Sequence, residues 1–238
     1  MSLNVLFVLA LALAPSSAYN RGNALYAQRD YAHAAAAYEQ ALAAGPNANA
    51  HYNLANALFK SGRIGQAILH YRRARFLAPR DADIRTNLAF ARSYRVDKVL
   101  TAQGPVASAL DDTFHWLSRR EAALAAAVLF ALGALSLAGW IVRRWAVALA
   151  AALLFGLLAL YGFACEQAWA REVGGQPAVV AVPEASAWSG PSDEFKPILV
   201  LHDGTELRIR EIRGVYSLVQ LPGGTGGWIR RNAIERVY

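Results

Sequence analysis

The sequence predicts a multidomain chain in three parts: an α-helical repeat array, a two-helix hairpin that crosses a membrane, and a small C-terminal β-barrel. Three observations predict it. Two N-terminal blocks superimpose at a spacing of 33 residues. Two uncharged runs of 21 residues then follow each other with little more than two arginines between them. Beyond them the texture changes to short β-forming runs broken by Gly, Pro and Asp.

The repeat comes first in the chain. Gly22-Asn23-Ala24-Leu25, with Ala34, Tyr38, Ala41 and Pro46, recurs as Ala55-Asn56-Ala57-Leu58 with Ala67, Tyr71, Ala74 and Pro79. A self-similar period of this length, with small residues at helix crossings and a closing proline, is the signature of tetratricopeptide repeats. Gly22 and Ala55 on the first helix of each pair face Ala34 and Ala67 on the second, where small side chains allow ridge-into-groove packing. Pro46 and Pro79 end the second helices. A third copy starts at Thr86-Asn87-Leu88-Ala89, matches Tyr52-Asn53-Leu54-Ala55, and fades after Arg95. It is predicted to be a capping helix, giving a repeat domain over 19–98. Two repeats and a cap are fewer than the three or so that such arrays need. Support is therefore expected from the membrane, from Val106–Ser118, or from a partner.

The exposed face of each first helix carries a repeated stripe. Tyr19, Asn23 and Tyr26 lie at i, i+4, i+7, and Tyr52, Asn56 and Phe59 repeat the pattern. Aromatic rings interleaved with amides can grip an extended peptide, the amides bonding its backbone and the rings covering its side chains. The candidate partner-binding residues are therefore Asn23, Tyr26, Tyr52, Asn56 and Phe59, with Lys60 and Arg63 adding attraction for carboxylates. The competing reading is that Asn and Tyr here are inter-repeat packing. Charge is uneven in the same direction. The chain holds 24 Lys+Arg against 17 Asp+Glu, net +7, and residues 19–98 alone hold 12 against 5, the whole excess. Such a surface suits acidic partner segments or anionic lipid headgroups, unless the arginines only solvate outer faces.

Residues Leu3 to Ala14 are apolar but too short to span a bilayer, and Pro15-Ser16-Ser17-Ala18 offers a cut after Ala18. Residues 1–18 are expected to be a secretory signal peptide, cleaved or retained as an anchor, although no Lys or Arg follows Met1. Ala122–Val142 and Trp145–Cys165 are each long enough to cross as helices. Gly133, Gly139, Gly156 and Gly162 would let them approach closely, and Trp140, Trp145, Tyr161 and Trp169 suit the interface. The predicted transmembrane hairpin covers 121–165. Before it, residues 105–120, with Leu110, Phe114, Trp116 and Leu117, read as an amphipathic helix at the interface. Arg143-Arg144 in the turn prefer the cytoplasmic side. The expected location is the bacterial inner membrane, with both ends facing the periplasm.

After Gly174-Gly175-Gln176-Pro177, five strands are predicted: Ala178–Val182, Ile198–Leu201, Glu206–Arg210, Tyr216–Leu221 and Gly227–Arg230. Leu201-His202-Asp203-Gly204-Thr205-Glu206-Leu207 followed by Gly226-Gly227-Trp228-Ile229 resembles bacterial SH3-like domains, which implies a small barrel over 178–238. The glycines at 223–227 lack the Lys-Ser/Thr and helix of a phosphate loop and read as a hairpin turn.

No catalytic machinery is visible. His33, His51, His70, His115 and His202 are scattered, and no nucleophile elbow, zinc-protease signature or dinucleotide fingerprint occurs. Asp111, Asp112 and His115 fit one helical turn, with the acidic pair at a helix start. The single Cys165 forms no internal disulfide. No cofactor and no metal are expected, and no nucleic-acid partner.

The order leader, repeats, hairpin and barrel resembles the BatE-type proteins of the bacterial aerotolerance operon. The residues carrying the resemblance are Asn53-Leu54-Ala55-Asn56-Ala57, Tyr71-Arg72-Arg73-Ala74 with Ala78 to Ala89, and Ser189-Gly190-Pro191-Ser192 with His202-Asp203-Gly204-Thr205. The resemblance implies a non-enzymatic membrane scaffold in a stress-tolerance complex, beside von Willebrand A-domain membrane proteins and a MoxR-type ATPase. The alternative expectation is a cell-envelope protein whose barrel grips peptidoglycan.

Overall fold

The structure, a computed structural model, describes residues 17–97 and 105–238. The expected leader lies outside the described residues up to residue 16, and residue 98 of the repeat segment lies outside them too. The chain forms two compact units. One combines the N-terminal helices with the C-terminal strands, and the other is Ala102–Gly174.

In the first unit, α1 (residues 17–27), α2 (Tyr31–Leu42), α3 (Ala48–Lys60), α4 (Ile64–Leu77) and α5 (Ala82–Ser93) run as successive hairpins. Short polar residues start three of them. The Asp30 side chain accepts from His33 N–H, Asn47 from Ala50 N–H, and Asp81 from Asp83 and Ile84 N–H. The small residues the repeat calls for are buried at the crossings: Ala34, Ala55, Ala67 and Ala74 are fully enclosed. A Cβ on Gly22 would run into the Tyr38 ring, so that position has no room for a side chain. Leu54, Leu58, Ile68 and Leu69 fill the space between. Each such side chain contributes about 1.5–3 kcal/mol by leaving water.

Seven antiparallel strands complete this unit: β1 (Pro177–Val180), β2 (Glu184–Trp188), β3 (Pro197–His202), β4 (Glu206–Arg213), β5 (Tyr216–Gln220), β6 (Gly226–Arg230) and β7 (Ile234–Arg236). The order is β3-β2-β6-β5-β4-β1-β7. The expected closed barrel is therefore wrong. β1 uses its two edges on β4 and β7, while β3 pairs with β2 alone, so the ends of the order do not meet. Inward residues from six strands (Val180, Ala185, Leu201, Leu207, Val219 and Ile229) still share one core. Five strands match expectation in place; β2 and β7 are additional.

The sheet supplies the support that the short array lacks. Val179 of β1 and Val237 after β7 are buried inside the repeat core itself, and Tyr238 packs against it. The Phe76 and Tyr238 rings lie 4.7 Å apart. Arg73 donates to the Val237 and Arg236 carbonyls, both at 2.8 Å.

The second unit holds α6 (Pro105–Phe114), α7 (Arg119–Arg143) and α8 (Ala146–Gly174). Ser118 and Glu121 form a capping box at the start of α7. Arg144, left-handed at φ 53°, turns the chain into α8. Both helices are long and apolar enough to cross a bilayer. Their outward side chains, such as Phe130, Leu135, Val147 and Leu157, are exposed. Gly133 and Gly162 sit at the crossing, where a Cβ at Gly162 would come 3.2 Å from the Ala122 carbonyl oxygen. Gly139 faces open space and does not serve the packing expected of it, whereas the Gly156 backbone nitrogen lies 3.6 Å from where a Cβ on Gly133 would stand. At the open end of the hairpin, Trp169 Nε1 donates to the Leu117 carbonyl and Arg119 pairs with Glu166 at 2.9 Å. Asp111 and Asp112 fall in the last turn of α6, not at a helix start. Asp111 instead grips buried His115 through its carbonyl at 2.9 Å and its carboxylate at 3.0 Å.

Candidate functional site

The repeated Tyr–Asn stripe proves to be a polar ladder. In the first rung, Asn53 donates through Nδ2 to the Tyr19 hydroxyl (2.9 Å) and to Asn23 Oδ1 (3.1 Å). The Tyr38 hydroxyl donates to the same Asn23 oxygen at 2.8 Å. The second rung repeats it one repeat later. Asn87 donates to the Tyr52 hydroxyl (2.9 Å) and Asn56 Oδ1 (3.1 Å), and Tyr71 donates to that oxygen. Burial pushes the Tyr38 phenol up to about 12, and burial likewise raises Tyr71, so both remain donors at any working pH.

This geometry divides the labour of Asn23 and Asn56. Their oxygens are committed inward, which satisfies the packing reading. Their Nδ2 groups make no hydrogen bond among the described residues. Both residues line a cavity of about 230 Å³ with Tyr26, Ala27, Tyr38 and Asn53. The cavity thus presents oriented amide donors beside phenol rings, the chemistry that binds a peptide carbonyl.

Of the predicted residues, the structure gathers Asn23, Tyr26 and Asn56 in that cavity. Tyr52 turns inward, its ring 6.0 Å from Tyr71. Phe59 joins a second feature: its ring lies 5.5 Å from Phe90 and 5.1 Å from Tyr94, both of which are exposed. Lys60 is exposed at the end of α3. Arg63 occupies the N-cap position of α4, where its charge acts on Asp203 of the sheet. Asn53 and Asn87 were missed as ladder residues. Their recurrence at a spacing of 34 residues, each one step after the Tyr52 or Thr86 position, was the available signal.

The basic excess has a different destination from the one charge counting suggests. Glu206 of β4 receives Arg92 in a two-pronged pair at 2.7 and 2.8 Å, Arg95 at 2.9 Å and Arg72 at 3.3 Å. Burial opposes the carboxylate, but the guanidinium charges, Arg92 foremost, outweigh it and hold Glu206 down at about 2. The neighbouring turn docks residue by residue. Asp97 accepts from His202 N–H (2.8 Å), His202 Nδ1 (2.9 Å) and Thr205 Oγ1 (2.5 Å). Asp203 accepts from Gly65 N–H at 2.9 Å, capping α4 where Arg63 offers no side-chain cap. Four arginines of the repeats, counting Arg73, thus face the sheet. Among the described residues no group of three or more His, Cys, Asp or Glu side chains is placed to hold a metal ion.

The tetratricopeptide repeat family matches residues 19–82. The chain contains tetratricopeptide repeats. No curated protein matches it. The matched stretch holds both rungs' acceptors, Asn23 and Asn56, and the whole lining of the cavity. These repeats are a protein-interaction fold without catalytic machinery of their own.

Proposed function

We propose that this chain is a non-enzymatic, membrane-anchored scaffold whose repeat groove holds an extended segment of another protein. The observation that carries the reading is the cavity over the ladder, where Asn23 and Asn56 offer free amide donors beside Tyr26. The aromatic group of Phe59, Phe90 and Tyr94 offers a second, apolar receptor for a large side chain on the repeats. Lys60 is exposed at the end of α3. Because four arginines are spent on the sheet, the groove selects its partner by backbone bonding and aromatic contact more than by acidity. The sheet's part is mechanical: it holds two repeats and a cap as a finished surface.

The anchor in this reading is the pair α7 and α8. Two crossings return the chain to the side it left, which suits a folded unit assembled from segments on both sides of the hairpin. The arginine turn argues for a cytoplasmic loop, and hence for a groove in the periplasm behind a leader ending at Ala18. The resemblance to BatE-type proteins supplies a partner set: von Willebrand A-domain membrane proteins and a MoxR-type ATPase in an aerotolerance complex.

The test keeps the ladder intact while removing the donors. Asn56→Asp retains an oxygen for Tyr71 and Asn87 and loses the N–H groups that face the cavity. Combined with Tyr26→Ala, it should abolish co-purification of a partner from detergent while leaving the unfolding midpoint within a few degrees. Unchanged recovery of the partner would discard the groove.

A further inference from the structure

The sheet splits where β2 meets β6. Among the described residues β2 pairs with β3 from Glu184 to Trp188, yet it pairs with β6 only at Ala187↔Ile229 and Trp188↔Trp228. Glu184, Ala185 and Ser186 run on beyond that contact, while the facing chain leaves β6 at Arg230 and enters a 3₁₀ turn over Arg231–Ala233. The two paths diverge and leave a wedge of about 290 Å³ between them. Its floor is the sheet core itself, with Ala185, Ile229 and Ala233 at the bottom. Glu184, Ser186 and Trp188 line one wall, and Arg230 and Asn232 line the other.

The polar groups on these walls are not equally committed. Arg230 is spent: Asp193 holds its guanidinium, and the same carboxylate accepts from the Tyr216 hydroxyl at 2.7 Å. Among the described residues the Glu184 carboxylate, the Ser186 hydroxyl and the Asn232 amide make no hydrogen bond and no ion pair. Glu184 stands opposite His202 on β3, but the Nδ1 of that ring is taken up by Asp97. The one uncompensated charge of the wedge is therefore negative, in a chain whose net charge is +7. An apolar floor with a few convergent polar groups is the usual form of a small binding site. Position along β2 sets the length of what fits. Glu184 and Trp188 are four residues apart, about 13 Å at the strand rise, so no single group touches both. Two residues of extended chain cover about 7 Å, and a lysine-type side chain covers the rest.

We propose that this wedge binds an extended peptide carrying a lysine-type ammonium and, two residues along, an apolar side chain. The ammonium pairs with Glu184, and its aliphatic stem lies over Ala185 and Ala233. The peptide's backbone amides bond to the Ser186 hydroxyl and the Asn232 side chain. The apolar side chain covers the Trp188 ring. Side chains two residues apart share one face of an extended chain, so both point into the wedge together. The same carboxylate repels an acidic segment, so the site selects by charge, whereas the groove of the repeats selects by backbone bonding and aromatic contact. The wedge is a second site, and it stands whether or not the groove holds a partner. Glu184 is exposed, and an exposed ion pair is weak and screened by salt. Its selectivity is therefore a few-fold and greatest at low ionic strength.

The test titrates the full-length chain in detergent, at low salt, with acetyl-Lys-Ala-Leu-amide and with the same peptide acetylated on its lysine side chain. The first should bind saturably with a Kd of about 1 mM or tighter. The second should bind roughly three-fold more weakly or worse, the size of one exposed ion pair. Glu184→Gln should erase that preference and leave the affinity of the neutral peptide as it was. Exchanging the peptide's leucine for alanine should weaken binding to the parent chain and have no further effect in Trp188→Ala. The groove variant, Asn56→Asp with Tyr26→Ala, should bind both peptides as the parent does. Absence of saturable binding, equal affinity for the two peptides, either preference surviving in its own variant, or loss of binding in the groove variant would each overturn the proposal.

Discussion

Glu206 shows how one side chain can settle the fate of several charges. Its carboxylate gathers Arg72, Arg92 and Arg95 where the repeats meet the sheet. Glu206→Gln removes the anion that three guanidinium groups share, and breaking a buried network of this kind costs about 3–5 kcal/mol. Urea unfolding of the variant in detergent should show a loss of that size. The same residue sets an acid limit. Its folded value of about 2 lies below the ordinary 4.5, so its contribution is complete above about pH 4.5 and is lost as pH falls toward 2. The linked loss is roughly 3 kcal/mol. A second limit comes from His51 and His70, whose Nδ1 atoms are 3.0 Å apart. Burial first, and the Arg73 charge second, lower them to about 4 and about 3 from 6.5. Both are held neutral, so their contribution is present in full above pH 6.5 and erodes below it, by up to about 1.4 kcal/mol per pH unit for each group. His70→Leu should roughly halve the slope of unfolding free energy between pH 6.5 and 4.5, leaving the share of His51 there and the loss below 4.5 that Glu206 causes.

Among the elements, α4 depends most on something far away in sequence. Its own N-cap residue, Arg63, has no side-chain bond to give, and Asp203 caps it instead. Gly65, in its first turn, packs so closely that a Cβ would overlap the Val180 carbonyl and the Asp203 carboxylate. In an exposed helix Gly→Ala gains up to about 1 kcal/mol. Here the sign should reverse, with Gly65→Ala costing about 1–3 kcal/mol by pushing the sheet off the helix. Thermal unfolding should show a lower midpoint for Gly65→Ala than for the parent chain, which would display that reversal. The elements also mark where sequence was readable. The helices of the repeats follow from local rules, small residues at crossings and Asp or Asn caps, and they appear where the 33-residue period puts them. The two long apolar helices are equally plain. β2 was not, because Glu184-Ala185-Ser186-Ala187-Trp188 carries little strand propensity and is a strand only through its neighbours β3 and β6. β7 has three residues, too few for a pattern.

At the scale of the whole molecule, sequence displayed segments and concealed their assembly. His202-Asp203-Gly204-Thr205-Glu206 reads locally as a turn, and it is a turn. That His202, Asp203, Thr205 and Glu206 also grip the repeat segment more than a hundred positions upstream is a tertiary fact with no local trace. The barrel was misjudged for the same reason, since nothing in a strand's own residues says whether the last one meets the first. Likewise the arginine count of the repeats is correct, but direction decides its meaning, and the sheet takes four of those arginines. In the proposed scaffold, what is left to a partner is the groove, with its amide donors and aromatic rings. A photoreactive amino acid placed at Tyr26 and, separately, at Val215 on the exposed β4–β5 tip compares the two surfaces directly in intact cells. The groove position should capture one defined protein and the tip position none. Equal capture at both positions, or none at Tyr26, would contradict a scaffold that works through its repeats.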